Sequence, residues 1–193
     1  MDSTGAMATG WIYDGSSRYY LDDKGNPTAQ GWLRVDGNWH YFVDGRASIG
    51  WFADRGSWYR LDEWSGVMLT GWQKVDGRWY YMLSSGAVAT GWQSIGGTWY
   101  YFDGAGVMAT GWKQVGGSWY FMNESGQMVT GWLREGDAWY FMQHSGAMIS
   151  GWKSIGGSWY YFADSGVMAT GRVIVSGRMS SFADSGRWLG YVS

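Results

Sequence analysis

Pairs of tryptophans seven residues apart recur along the chain, and they are its best candidates for chemistry. Trp112 and Trp119 form one such pair, with Gly116-Gly117 between them. Two indoles across a tight turn can form adjoining walls of a binding site, to which the next unit adds an aromatic wall and a Met adds an apolar floor. The alternative is that these side chains only pack, because Leu and Ile are scarce and aromatic residues must fill the core.

Comparison of the units with one another favours a binding role for the Trp pairs. The Phe102 position becomes Leu61 or Met82 elsewhere, which is typical of a core position. The two Trp positions instead stay Trp in unit after unit and are lost in the last one, at Arg172 and Met179. Since a residue that only packed would exchange with aliphatic residues, we expect the Phe102 position in the core and the Trp pairs in a site.

The Trp pairs belong to a repeat of about 20 residues. Gly-Trp begins eight units at spacings of 19 to 21 residues, and a ninth begins at Gly171-Arg172. Residues 92–95 and 98–102 are β-forming segments around Gly96-Gly97, which supplies the positive φ of a tight hairpin turn. Because a lone hairpin is marginal in water and stacked copies bury their faces, the sequence predicts an all-β solenoid of about nine tandem hairpins.

The ends of this single array, residues 1–193, differ from its middle. Residues 1–10 match the tail of later repeats, so we expect a partial repeat and a piece cut from a longer protein. Residues 11–170 are expected to form eight hairpin repeats. Residues 171–193 are expected to form a degenerate cap with no complete site of its own.

Composition argues against several classes of function. A net charge of −2 does not suit a nucleic-acid partner, whose phosphates are held by clustered Lys and Arg, and no apolar run is long enough for a membrane span. The chain has no Cys, and His40 and His144 occupy unrelated places in their repeats. With no nucleophile, metal or phosphate-binding pattern, we expect no cofactor and no catalysis in this chain. Any catalytic domain would lie in a missing N-terminal part.

The run Met-Ala-Thr-Gly-Trp-Lys-Gln-Val-Gly-Gly-Ser-Trp-Tyr at residues 108–120 resembles the choline-binding (cell-wall-binding) repeats of Gram-positive autolysins, phage lysins and surface adhesins. The match recurs over nearly the whole chain. The resemblance implies a left-handed superhelix of β-hairpins with ligand cages between successive hairpins. It also implies a secreted protein held non-covalently at the cell wall or cell surface through choline groups of teichoic acid. A homodimer through the C-terminal cap is a further expectation from the resemblance.

The resemblance implies a cage of two Trp, one aromatic residue of the next hairpin and often a Met. We take the second aromatic of the strand as the third wall, from strand alternation, and the first remains the alternative. The expected cages are Trp72, Trp79, Tyr101 and Met108; Trp92, Trp99, Phe121 and Met128; Trp112, Trp119, Phe141 and Met148; Trp132, Trp139, Tyr161 and Met168; and Trp51, Trp58 and Tyr81, with Val88 in place of Met.

The expected cages are incomplete at both ends of the array. Arg60 is expected to interrupt the aromatic face beside Trp32 and Trp39 and to repel a cation there. Tyr19 is expected to replace a Trp in the first unit. Ser181 is expected to leave Trp152 and Trp159 without a third wall, so the binding prediction rests on residues 51–168.

Two other functions compete with choline binding. Related repeats bind glycans, since indole faces also stack on pyranose rings, but those repeats tend to lack the second-strand Trp that this chain keeps. The array is alternatively a passive spacer, which needs stacking and no cages. The retained second Trp favours choline.

Overall fold

The computed structural model describes residues 7–15, 17–27 and 29–192, and this part of the chain contains β-strands and turns but no helix. Most of the predicted partial repeat 1–10, residues 1–6, lies outside the described residues. Within the described ranges no helix is present that could span a membrane. The all-β array of tandem hairpins predicted from the sequence is confirmed.

The described residues form twenty short strands. They are β1 (Gly10–Asp14), β2 (Ser17–Leu21), β3 (Gly31–Val35), β4 (Asn38–Val43), β5 (Arg46–Ala47), β6 (Gly50–Asp54), β7 (Ser57–Leu61), β8 (Gly71–Val75), β9 (Arg78–Met82), β10 (Gly91–Ile95), β11 (Thr98–Phe102), β12 (Gly111–Val115), β13 (Ser118–Met122), β14 (Gly131–Glu135), β15 (Ala138–Met142), β16 (Gly151–Ile155), β17 (Ser158–Phe162), β18 (Gly171–Val175), β19 (Arg178–Phe182) and β20 (Trp188–Tyr191).

The chain divides into two compact units. The first comprises residues 1–91 and 102–108, and in it β5 joins two hairpins into a five-stranded sheet of order β1-β2-β5-β4-β3, followed by the hairpins β6-β7 and β8-β9. The second comprises residues 92–101 and 109–193 and holds the hairpins β12-β13, β14-β15 and β16-β17 and the three-stranded sheet β18-β19-β20.

The turn within each hairpin follows from its residues. Gly96 and Gly97 have φ of 59° and 82°, and Asp76 and Gly77 have 49° and 76°. Positive φ at both central residues defines the tight turn whose twist matches that of the flanking strands, and Gly and Asp tolerate it. The predicted hairpin turns are therefore confirmed.

A core residue lies at or next to the end of the second strand of each hairpin. These residues are buried, as predicted for the Phe102 position: Leu21, Phe42, Leu61, Met82, Phe102, Met122, Met142, Phe162 and Phe182. The connector that follows returns to the preceding hairpin. Met148, for example, bridges to Met142, and its N–H donates to the Trp119 carbonyl oxygen over 2.7 Å. Backbone hydrogen bonds therefore fix each connector Met beside the second Trp of the hairpin one repeat earlier.

Candidate ligand-binding site

A cavity of about 310 Å³ lies beside the two indoles of β12 and β13. The Trp112 and Trp119 ring centroids are 6.4 Å apart with the planes at 82°, so the indoles form two perpendicular walls. The Tyr140 ring lies 4.8 Å from Trp112 and forms a third wall. The complete lining is Trp112, Trp119, Tyr140, Met148, Asp164 and Ser165.

Hairpin register places both indoles on one face. Trp119 pairs with Gln114, two positions from Trp112 on the same strand, so the side chains of Trp112 and Trp119 point the same way. The Trp119 side chain is 42% exposed, whereas Trp112 is half-buried. Trp119 is therefore the outer wall of the cavity, and Trp112 is the inner wall.

Three consecutive repeats contribute to this cavity. The first supplies the two indoles, the second supplies Tyr140 and Met148, and the turn of the third supplies Asp164 and Ser165. Gly166 follows that turn at φ 81°, and a Cβ there would collide with the Met148 sulfur. The glycine therefore lets the third repeat approach the Met of the second.

The same arrangement recurs around other Trp pairs. A cavity of about 280 Å³ is lined by Trp92, Trp99, Tyr120, Met128, His144 and Ser145. A cavity of about 340 Å³ in the first unit is lined by Trp32, Trp39, Tyr59, Met68, Ser84 and Ser85. The Trp, Tyr and Met members are constant, while the rim residue changes among Asp, His and Ser.

The third wall is the first aromatic of the next hairpin, which corrects our expectation. Phe121 and Phe141 do not line the cavities at Trp92 and Trp112, where Tyr120 and Tyr140 stand instead. Each expected wall residue packs on the Trp opposite it in its own hairpin, at 5.1–5.3 Å between centroids. These residues are Tyr81, Tyr101, Phe121, Phe141 and Tyr161.

Adjacent hairpins do not meet through like faces. Copies related by a repeated operation make heterologous contacts, so the Trp face of one hairpin meets the opposite face of the next. That opposite face carries the first aromatic. A signal was present in the sequence, because this position is Tyr in as many units as the second-strand Trp, at Tyr19, Tyr59, Tyr80, Tyr100, Tyr120, Tyr140 and Tyr160.

Two further Trp pairs have the same local geometry. Trp132 and Trp139 are 6.2 Å apart, with Tyr160 5.0 Å from Trp132, and the Met168 N–H donates to the Trp139 carbonyl oxygen. In the first unit the Trp72 and Trp79 centroids are 6.1 Å apart, and the Met108 N–H donates to the Trp79 carbonyl oxygen. Tyr101 of that expected cage belongs to the second unit.

A cation of the chain itself lies beside the Trp51 and Trp58 pair. Tyr80 is 4.9 Å from Trp51, and the Val88 N–H donates to the Trp58 carbonyl oxygen. Arg60 pairs with Trp51 across the hairpin, and its guanidinium lies 5.5 Å from the indole centroid. Arg60 thus packs on its own hairpin, which corrects the expectation that it interrupts the Trp32 and Trp39 site.

The first hairpin also carries its own cation. The second Trp position of this hairpin holds Arg18 and not Tyr19, which corrects our expectation. Arg18 pairs with Tyr13, two residues after Trp11, and in the β12-β13 hairpin Trp119 pairs with the equivalent residue, Gln114. The Arg18 guanidinium lies 5.7 Å from Trp11 and 4.7 Å from Tyr13. The third-wall position there is His40. Burial lowers the pKa of His40, so this residue adds no positive charge near neutral pH.

The C-terminal end differs from expectation as well. The Trp152 and Trp159 pair, expected to lack a wall, adjoins a cavity of about 260 Å³ that is closed by Trp188 and Tyr191 of β20. Aromatic cavities therefore extend beyond residues 51–168 in both directions. Within the described ranges, no group of His, Asp and Glu side chains is arranged to hold a metal ion.

Known proteins share this repeat and this fold. A family model described as a choline-binding repeat matches residues 29–70, 69–110, 109–151 and 149–189, and one described as a putative cell wall binding repeat matches residues 9–26. None of the curated protein sequences matches the chain.

Solved structures of choline-binding proteins superpose on nearly all of the chain. CbpJ from Streptococcus pneumoniae TIGR4 is 35% identical with a TM-score of 0.85, over 95% of this chain and 72% of that one. Choline binding protein F from Streptococcus pneumoniae is 36% identical with a TM-score of 0.80, over 95% and 72%. A structure of CbpF in complex with ipratropium is 35% identical with a TM-score of 0.77, over 95% and 73%. The chain belongs to the choline-binding repeat family.

Proposed function

We propose that the chain is a non-catalytic cell-wall-binding module whose cavities lined by two Trp, a Tyr and a Met each hold the trimethylammonium group of a choline on teichoic acid. The observation that supports this most strongly is the recurrence of one lining, two Trp with a Tyr and a Met, at Trp32, Trp92 and Trp112. A repeated site suits a polymer with repeated ligand groups. The module would act at the surface of a Gram-positive cell.

The lining suits a quaternary ammonium because that group has no N–H to donate. It is recognised by the electron-rich faces of aromatic rings, and a Met thioether adds a polarizable apolar contact. The chain already places guanidinium groups on such rings, Arg60 on Trp51 and Arg18 on Tyr13. The Asp164 carboxylate at the rim of the Trp112 cavity adds an attraction for a cation that a neutral sugar would not feel.

Each aromatic face contributes about 0.5–2 kcal/mol to cation binding. Three faces give about 2–5 kcal/mol, which corresponds to about millimolar affinity or weaker. Such sites become effective together, because the second and later choline groups of one polymer bind at a high effective concentration. The same reasoning gives the Trp51 site lower affinity, since Arg60 already covers one face of its indole.

Titration of the chain with choline and with a soluble glucan separates the two ligand classes. We expect choline at up to tens of millimolar to quench Trp fluorescence saturably and to shift the methyl resonances of Met68, Met128 and Met148, each of which lines a different cavity. Glucan is expected to leave these methyl resonances in place. Saturable shifts with glucan and none with choline would show that the chain binds glycans instead. No shift with either ligand would show that the array is a passive spacer.

Substitution of neighbouring aromatics tests which ring is the third wall. Tyr140→Leu removes a face that is 4.8 Å from Trp112 and should weaken choline binding there by about 2- to 30-fold, the equivalent of one aromatic face. Phe141→Leu changes the next residue, which packs on Trp132 and does not line this cavity. The measurement is the choline concentration that half-shifts the Met148 methyl resonance. A larger effect from Phe141→Leu than from Tyr140→Leu would show that the second aromatic of the strand is the third wall.

A further inference from the structure

We propose that the C-terminal strand β20 builds an additional alkylammonium site, with a lining unlike that of the central cages. This inference rests on the proposed function of those cages. The cavity of about 260 Å³ is lined by four aromatic side chains: Trp152, Trp159, Trp188 and Tyr191. Neither a Met nor a turn residue takes part in this lining, in contrast to the other three cavities.

The usual third wall is missing from the last hairpin. Ser180 pairs with Val173 as Tyr160 pairs with Lys153, so Ser180 holds the wall position. It is fully buried and too short to reach an indole of the preceding hairpin. Its small size leaves room for β20, which pairs with β19 and places Tyr191 opposite Ser180.

Trp188 occupies the connector Met position. It pairs with Phe182, the core residue of β19, just as Met168 bridges to Phe162 one repeat earlier. Its ring lies 5.4 Å from Trp152 with the planes at 76°. One indole thus replaces the Met floor and supplies the aromatic surface that Tyr provides in the central cages. Tyr191, 5.2 Å from Trp188 at 76°, continues that surface outward.

Two features distinguish this arrangement from a tail that only covers the last hairpin. Trp159 and Tyr191 remain 49% and 56% exposed, so half of each ring is open to solvent. The Trp188 indole N–H is buried without a hydrogen-bond partner, which costs stability. A Met at this position, as in other units, would fill the space with no donor to leave unpaired. The Trp is therefore better explained by a ligand that uses its face.

The lining selects the ligand class. Four aromatic faces and no side-chain anion suit a methylated ammonium group, which needs no hydrogen-bond acceptor. One cation of the chain competes for part of this surface, since the Arg178 guanidinium lies 5.4 Å from the Tyr191 ring centroid. Affinity for choline should therefore be similar to that of the central cages, and Arg178→Gln should strengthen it at this site.

The test counts bound ligand on the full chain by equilibrium dialysis against radiolabelled choline, at millimolar protein. Trp188→Met, which installs the residue that other units carry at this position, is expected to bind one choline fewer per chain at saturation than the unsubstituted protein. Tyr191→Leu should weaken the same site several-fold. Choline shifts of the Met128 and Met148 methyl resonances should be unchanged in both variants, which shows that they are folded and that the central cages are intact.

The outcomes separate this inference from the proposed function. If Met128 and Met148 respond to choline in the unsubstituted chain while Trp188→Met and Tyr191→Leu bind as many cholines as it does, then β20 only packs and the additional site is wrong. If Met128 and Met148 do not respond in the unsubstituted chain, the proposed function fails and the additional site fails with it. A loss of one bound choline in Trp188→Met, with a gain in affinity for Arg178→Gln, supports the site.

Discussion

Simultaneous substitution of Trp99, Trp119 and Trp139 by Ala is expected to weaken binding to choline-decorated teichoic acid by about 100-fold or more. Each substitution removes the outer wall of a different site, and these indoles are only about 60% buried, at 39–45% exposure. Multivalent attachment gains about 10²–10⁴ over a single site, and most of that gain should be lost when three sites are removed.

The measurement is the dissociation constant of the chain for immobilised teichoic acid, beside the affinity of free choline for the remaining sites. Trp119→Ala alone should cost only a small part of the loss. Trp64→Ala is the matched control, because Trp64 is 86% exposed and lines none of the four cavities described. Equal losses for the single and triple variants would show that the cages do not act together.

Phe162→Ala is expected to lower the free energy of unfolding by about 3–5 kcal/mol, the usual cost of truncating a buried Phe. Phe162 has no exposed surface, packs with Ile149 and Met168, and lies 6.0 Å from the Trp132 ring. The loss combines the transfer free energy of the ring with the cavity left behind. Chemical denaturation followed by near-UV circular dichroism measures it.

Trp139→Ala provides the comparison within the same part of the array. Its indole is 39% exposed, so less apolar surface returns to water and the stability loss should be well below that of Phe162→Ala. Choline binding should show the reverse order. If Trp139→Ala were the more destabilising change, the second-strand Trp would be a core residue, and the separation of core from site would be incorrect.

The sequence predicted those features that depend on contacts within one hairpin. The repeat, the turn at Gly96-Gly97 and the buried Phe102 position all follow from local propensity and from comparison of the units. The common face of Trp112 and Trp119 follows from strand alternation and register. Each of these features is set by residues that are neighbours in the chain, so the pattern alone is sufficient to find it.

Contacts between hairpins could not be predicted in the same way. Alternation states which residues share a face but not which face the next hairpin meets, so it predicts Phe141 where the structure has Tyr140. The closure of the Trp152 site depended on β20 folding back along β19, a pairing that the repeat pattern does not contain. The expectation for Tyr19 is wrong for another reason: the seven-residue spacing of the Trp pairs, counted from Trp11, leads to Arg18.

Construction of the cavities at Trp32, Trp92 and Trp112 from three repeats each has a consequence for how such arrays change length by gene duplication. The residues of one cavity at Trp112 are spread from 112 to 165, yet each repeat holds the same share for its neighbours. Insertion of one whole repeat length at any point within the central units therefore adds one whole cavity, whichever residue the insertion starts from. The unit with Ser180, Trp188 and Tyr191 is different, because β20 closes its cavity without residues of a following repeat. Arrays of this kind can therefore lengthen by internal copies, each of which adds one cavity.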